Sequence, residues 1–137
     1  MQTKKETKPL DIKVDVKSAI PIYEQIKQGV KLAIVSGYLE PGDQLVPIRE
    51  LAAKLRVNAN TIVKVYYQLD VEGYIYSLQG TGYFVREDLP DKQKKKKELI
   101  ETVIDEFISK AIQLDYSVQD MIRLLEKRTK AKGRKSK

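Results

Sequence analysis

Between Leu45 and Val85 the chain has room for a helix, a tight turn, a second helix and a glycine-tipped hairpin, and for no further element. Pro47 suits the first helical position, where a fixed φ and a missing N–H cost nothing. Ile48, Leu51, Ala52 and Leu55 then recur at helical spacing, which commits one face to a core. Arg56, Val57 and Asn58 make the turn. Asn58 is a good N-cap for the second helix, because its side-chain oxygen can accept from a free N–H in the first turn. Ile62, Val65, Tyr66 and Leu69 supply that helix's buried stripe, and Asn60, Thr61, Lys64 and Tyr67 fall on or near the opposite face. Glu72 and Gly73 end it.

Tyr74 to Leu78 reads as a strand rich in β formers, Gln79-Gly80-Thr81-Gly82 as a hairpin tip, and Tyr83 to Arg86 as the returning strand. A β-ribbon after a helix-turn-helix is the layout of a winged helix-turn-helix. The polar, hydrogen-bonding outer face of the second helix points to DNA. A tip with two glycines can approach a phosphate backbone or enter a minor groove without a side-chain clash.

Pro21-Ile22-Tyr23-x-Gln25-Ile26, Gly37-x-Leu39-x-Pro41-Gly42-x-x-Leu45, Arg49-x-Leu51-Ala52, Asn60-Thr61, Tyr66, Glu72-Gly73 and Gly80-x-Gly82-x-Phe84-Val85 together resemble the DNA-binding domain of GntR-type bacterial transcription regulators. The resemblance covers about residues 20–86. The variant Val57-Asn58-x-Asn60-Thr61, followed by a short tail domain, is most similar to the YtrA-type branch. Two departures bear on specificity. Leu45-Val46-Pro47 stands where the family usually has Leu-Pro-Ser, and Asn58-Ala59 stands where many members carry Ser-Arg. What the resemblance carries over is Arg49 before the turn, Asn60, Thr61 and Lys64 on the recognition helix, and Gly80 with Gly82 in the wing.

Each of these has a chemical role and a plainer alternative. Arg49 offers a bidentate contact to phosphate or guanine, against an ordinary solvated arginine. Asn60 can pair with adenine N6 and N7, and Thr61 can donate to a phosphate, against simple first-turn polarity. Lys64 can neutralise a phosphate or merely aid solubility. Tyr67 can touch a thymine methyl or a sugar, or pack on the wing or another helix. Asn58 and Thr81 complete the expected DNA-contacting set. Tyr66 is expected in the core.

The net charge is +7, yet residues 18–91 carry −2, residues 92–97 carry +5, residues 98–126 carry −5 and residues 127–137 carry +7. Local placement of Arg49, Lys54, Arg56 and Lys64 therefore matters more than the total. The chain has no Cys and no His, which excludes disulfides, thiolate and imidazole metal sites, and Ser-His or Cys-His catalysis. Pairs such as Glu87-Asp88 and Asp105-Glu106 are adjacent and point in different directions, so they make no acid/base pair. The expectation is no enzyme, no cofactor and no metal. No stretch has a membrane span's apolar length, and the N-terminus lacks a signal peptide's apolar region, so a soluble, cytoplasmic protein is expected.

Five segments follow. Residues 1–18 form an arm, where Leu10, Ile12, Val14 and Val16 alternate with charged residues as in an extended segment or edge strand. Residues 19–88 form the winged domain, opened by a scaffold helix over Ala19 to Ser36 and a type II turn at Pro41-Gly42. Residues 89–97 form a basic linker, 98–129 a helical hairpin, and 130–137 a basic, disordered tail able to add nonspecific phosphate attraction. The fold class is α+β, mainly helical: an N-terminal winged helix-turn-helix followed by a small two-helix dimerisation module.

Within the hairpin, Leu99, Ile100, Val103, Ile104, Phe107, Ile108 and Ile112 make an apolar face that Met121, Ile122 and Leu125 extend, beyond a break at Asp115-Tyr116 and a capping box at Ser117-x-x-Asp120. Two short helices cannot bury that surface alone. A second copy would cover it and set two recognition helices on successive major grooves, and the YtrA-type resemblance implies such a dimer; docking onto the winged domain is the alternative. The expected function is a homodimeric repressor of transcription on a palindromic double-stranded DNA operator. The other readings are a winged-helix protein-interaction module and a nonspecific nucleoid-type binder. The hairpin is too short for a large effector domain, so a possible, unidentified small-molecule effector would have to use the dimer interface or a pocket between modules, which the sequence does not locate.

Overall fold

The computed structural model describes residues 7–132. Its elements are α1 (Ile22–Val35), α2 (Ile48–Leu55), α3 (Ala59–Val71), β1 (Ile75–Leu78), β2 (Gly82–Val85), α4 (Lys92–Gln113) and α5 (Val118–Ala131). The chain divides into two units, one ending at Leu99 and the other beginning at Ile100. Arm residues 1–6 and tail residues 133–137 lie outside the described residues.

The first unit has one apolar core. Ile26, Val30 and Ile34 of α1 recur at four-residue spacing and are buried against Leu51 of α2, the Ile62, Val65, Tyr66 and Leu69 stripe of α3, and Ile75 and Val85 of the hairpin. Pro21 and Pro47 each sit one position earlier than N1, as extended N-cap residues, so α1 is shorter than the span 19–36. Tyr66 is in the core as expected. Its hydroxyl donates to the Val46 carbonyl at 2.7 Å, and the Tyr83 ring meets it edge-on at 5.2 Å. Burial raises the Tyr66 phenol far above its ordinary pKa, with smaller contributions from Glu50 and Tyr83, which keeps it a donor.

β1 and β2 pair antiparallel, from Ile75 opposite Val85 to Leu78 opposite Gly82. A third extended segment lies along the other edge of β2. Gly42 N–H donates to the Val85 carbonyl at 2.9 Å, Val85 N–H to the Asp43 carbonyl at 2.9 Å, and Leu45 N–H to the Tyr83 carbonyl at 2.8 Å. The expected turn precedes it: Asp43 N–H closes on the Glu40 carbonyl at 2.9 Å, with Gly42 at φ 87°, a value that a residue with a Cβ rarely adopts. The Pro-Gly signal marked the turn and hid the pairing that follows it.

The described part of the arm, residues 7–18, forms no strand, and it contributes to the first unit's core. Leu10 is fully buried, whereas Val16, at the end of the alternating run, is exposed. Side chains tie the arm's backbone down: Tyr38 Oη donates to the Pro9 carbonyl at 2.6 Å, and Lys54 Nζ to the Leu10 carbonyl at 3.0 Å. Gln25 both donates to the Asp15 carbonyl and accepts from its N–H, at 2.9 and 2.8 Å. These bonds satisfy backbone groups that a sheet would otherwise have to pair.

The basic linker over 89–97 is a correction: Lys92 to Lys97 are already the start of α4. Lysine is a good helix former, and the turn is anchored by Lys95, whose Nζ donates to the Pro90 carbonyl at 3.0 Å and lies 5.0 Å from the centre of the Tyr74 ring. Leu99 is likewise corrected. It is buried in the first unit's core and is not available to a dimer interface.

A charged cluster closes the end of α3. Lys27, the one charged residue buried in the core among the described residues, donates to Gln68 Oε1 at 3.1 Å and pairs with Glu72, which Lys31 also reaches at 3.0 Å. Burial pushes the Glu72 carboxyl up, but hydrogen bonds and charge from Lys27 and Lys31 outweigh it and hold the group below its ordinary value. The Tyr74 phenol beside this cluster is pushed up to about 12, first by burial and then by Glu72 and Glu98.

In the second unit, α4 ends at Gln113, and Asp115 adopts a left-handed φ of 64°. The capping box is present: Ser117 Oγ accepts from Asp120 N–H at 3.1 Å, and Asp120 Oδ2 accepts from Ser117 N–H at 3.0 Å. Only Ala111 and Met121 are buried among this unit's described hydrophobic residues. Met121 therefore lies beneath the expected dimer face. Ile100, Val103, Ile104, Phe107, Ile108, Ile112, Ile122 and Leu125 stay exposed by 37% to 59% along an apolar groove of about 690 Å³.

Candidate nucleic-acid interface

The recognition helix starts where the sequence places it. Asn58 is its N-cap, with φ −66° and ψ 138°, and its Oδ1 accepts from Asn60 N–H at 2.7 Å. That oxygen is thereby committed to the helix, so only the rest of the exposed Asn58 amide faces outward. Arg56, in the turn, takes a left-handed conformation at φ 59°, and Val57 N–H bonds back to the Ala52 carbonyl at 3.0 Å. A non-glycine residue at such a φ costs roughly 1 kcal/mol or more. The bond to Ala52 and the packing of α2 on α3 hold it there.

Asn60 is exposed and Thr61 half-buried at the free N-terminal end of α3, where partial positive charge from the helix favours an anion. Arg49 is exposed one residue into α2. The start of α2 is tied to the body of α3, since Tyr66 of α3 bonds Val46, the residue before Pro47.

Two of the other expected cations, Lys64 and Lys54, are engaged elsewhere. Lys64 Nζ lies 3.6 Å from the centre of the Tyr23 ring on α1, a close cation–π contact. Lys54 is spent on the Leu10 carbonyl. What the outer face of α3 offers beside Asn60 is mostly apolar: Val63, Tyr67 and Val71 recur every four residues, with Tyr67 64% and Val71 67% exposed. Of these three, only Tyr67 is expected at the DNA-facing surface from the sequence. Val63 and Val71 carry no polar signal, and only their position opposite the buried stripe marks them.

At the wing tip, Gly80 and Thr81 are exposed, with Gly80 at φ 77° and a tight bond from Thr81 N–H to the Leu78 carbonyl at 2.9 Å. Gly82 has a different role. It faces Gln44, and a Cβ there would lie 2.8 Å from Gln44 Nε2. That nitrogen donates to the Thr81 carbonyl at 2.9 Å, so the segment before α2 holds the wing tip directly. Among the described residues no group of three or more acidic side chains is placed to hold a metal ion, and no helix is long and apolar enough to cross a membrane.

This arrangement has known counterparts. The family profile "Bacterial regulatory proteins, gntR family" matches residues 22–85. The transcriptional repressor YtrA of Bacillus subtilis is 43% identical over 77 residues, 56% of this chain, and the match spans 59% of that relative's own length. YtrA from Sulfolobus acidocaldarius, a GntR-family transcription factor of solved structure, is 32% identical with a TM-score of 0.53, over 88% of this chain and 97% of that one. The AraR DNA-binding domain, solved in complex with its operator ORX1, is 29% identical with a TM-score of 0.50, over 54% of this chain and 95% of that one. With a winged helix-turn-helix built on Tyr66 and Asn58 and a short helical hairpin following it in sequence, the chain belongs to the gntR family of bacterial regulatory proteins, in its YtrA-type branch.

Proposed function

We propose that the chain is a DNA-binding regulator of transcription in the cytoplasm, a homodimeric repressor that occludes a palindromic operator and carries no catalytic activity of its own. The observation that carries this reading is the start of α3: an Asn58-capped helix end that leaves Asn60 and Thr61 outward while Tyr66 locks the opposite face to the segment before α2. Donors fixed on a rigid element are what base and phosphate contacts require. The operator complex of AraR supports the same use of a related domain.

The exposed groove of the second unit supports the homodimer. Contiguous apolar side chains of this extent are unusual on a monomer, and a second copy of the same pair of helices would cover them. The nonspecific alternative is weakened by the engagement of Lys54 and Lys64 within the fold.

The test is retention of sheared genomic DNA from the source organism by the full chain at moderate salt, followed by sequencing. Enrichment of an inverted repeat is expected, and Asn60→Ala should lose that preference at unchanged melting temperature. Unpatterned retention, falling alike for all sequences as salt rises, would make the protein a nonspecific binder. No retention would favour a protein partner.

A further inference from the structure

We propose that Gln44 is a positioning residue for DNA contact, holding the wing tip at a set distance from the start of α2. The inference rests on the DNA-binding reading above. The segment 42–45 runs antiparallel along the outer edge of β2 with Gln44 opposite Phe84, so Leu45 faces Tyr83, and residue 47 would face Thr81. Leu45 N–H makes its rung to the Tyr83 carbonyl at 2.8 Å. The next donor on that edge would be the N–H of residue 47, aimed at the Thr81 carbonyl. Residue 47 is proline, which has no N–H, and the chain turns there into α2.

Gln44 Nε2 supplies the missing donor, 2.9 Å from the Thr81 carbonyl. Gly82 makes room for it, because a Cβ at that residue would lie 2.8 Å from the same nitrogen, and its φ of 134° disfavours any side chain. Pro47, the residue that removes the backbone rung, also opens the helix that carries Arg49 two residues later. The side-chain rung thus connects the two elements that would meet the backbone on either side of the recognition helix. Without it the tip is a three-residue loop held only by its own strands.

Gln44→Met keeps the length of the side chain and removes the donor. The full-length variant is compared with the wild-type chain on the genomic fragment that the wild type enriches most. The expected result is an unchanged melting temperature, unchanged base preference, a dissociation constant raised about five- to tenfold, and loss of hydroxyl-radical protection at the position of the wing. Without DNA, ¹⁵N relaxation should show the amides of Gly80, Thr81 and Gly82 gaining fast motion in the variant. Unchanged protection together with unchanged tip relaxation would overturn the proposal. So would a fall in melting temperature that accounts for the whole loss of affinity, since Gln44 would then be a stability residue. If the wild type enriches no fragment, the DNA reading fails, and relaxation alone still decides whether Gln44 orders the tip.

Discussion

The two units of this chain treat apolar side chains in opposite ways. In the first, side chains from the arm, three helices and the hairpin close on one another until Leu10, Ile26, Ile62 and Leu69 are essentially removed from water. In the second, residues 100–132 bury only Ala111 and Met121 among their hydrophobic residues and leave most of the others exposed, many of them along an open groove. Similar aliphatic residues at similar helical spacing thus have different meanings. Periodicity says that a face wants burial, while the number of elements available to cover it decides whether the chain can bury it alone.

The contrast is broken most severely in the first unit. Leu69→Ala should cost about 2–5 kcal/mol of unfolding free energy, independent of protein concentration, in urea denaturation followed by circular dichroism. A cost below about 1 kcal/mol would mean that this core is as loosely filled as the groove. Next in size is Phe107→Glu with Ile108→Glu. Placing charges on the face proposed to join two copies should weaken self-association at least about a hundredfold in sedimentation equilibrium, with the melting of the first unit unchanged. Association that survives both changes would move the interface elsewhere.

The smallest effect concerns Glu72. Its carboxyl is held below the ordinary value of 4.5 in the folded protein, so the stability it adds is complete above that pH and is lost as the pH falls through the lower, folded value. The melting temperature should therefore drop more between pH 7 and pH 3 in the wild type than in Glu72→Gln. Equal drops would show that Lys27 and Lys31 do not depend on this partner.

The sequence carried the first unit's plan because α2, the turn and α3 use local signals: a proline, an N-cap and stripes repeating every three or four residues. Local signals cannot reveal partners brought from far away. Lys64 looks like a free cation until α1 packs and brings Tyr23 beneath it. Lys54 reads the same way, although its partner is a backbone carbonyl 44 residues earlier. Leu99 and Ile100 are adjacent and equally apolar, and only the docking of α4's first turns separates a core residue from an exposed one. The lysine run announced its charge clearly and its helical conformation hardly at all. The cap at Asn58 and the capping box at Ser117 were legible because each involves residues within three positions of one another.

The seating of Leu10 changes how this protein should be divided. The family match begins at residue 22 and ends at residue 85, yet the core within that stretch is completed by Leu10 before it and Leu99 after it. A fragment trimmed to the recognisable motif would keep every helix and wing residue expected to meet DNA and lose two of the plugs that keep the scaffold dry. The portion that reads as a domain is shorter, at both ends, than the portion that folds as one.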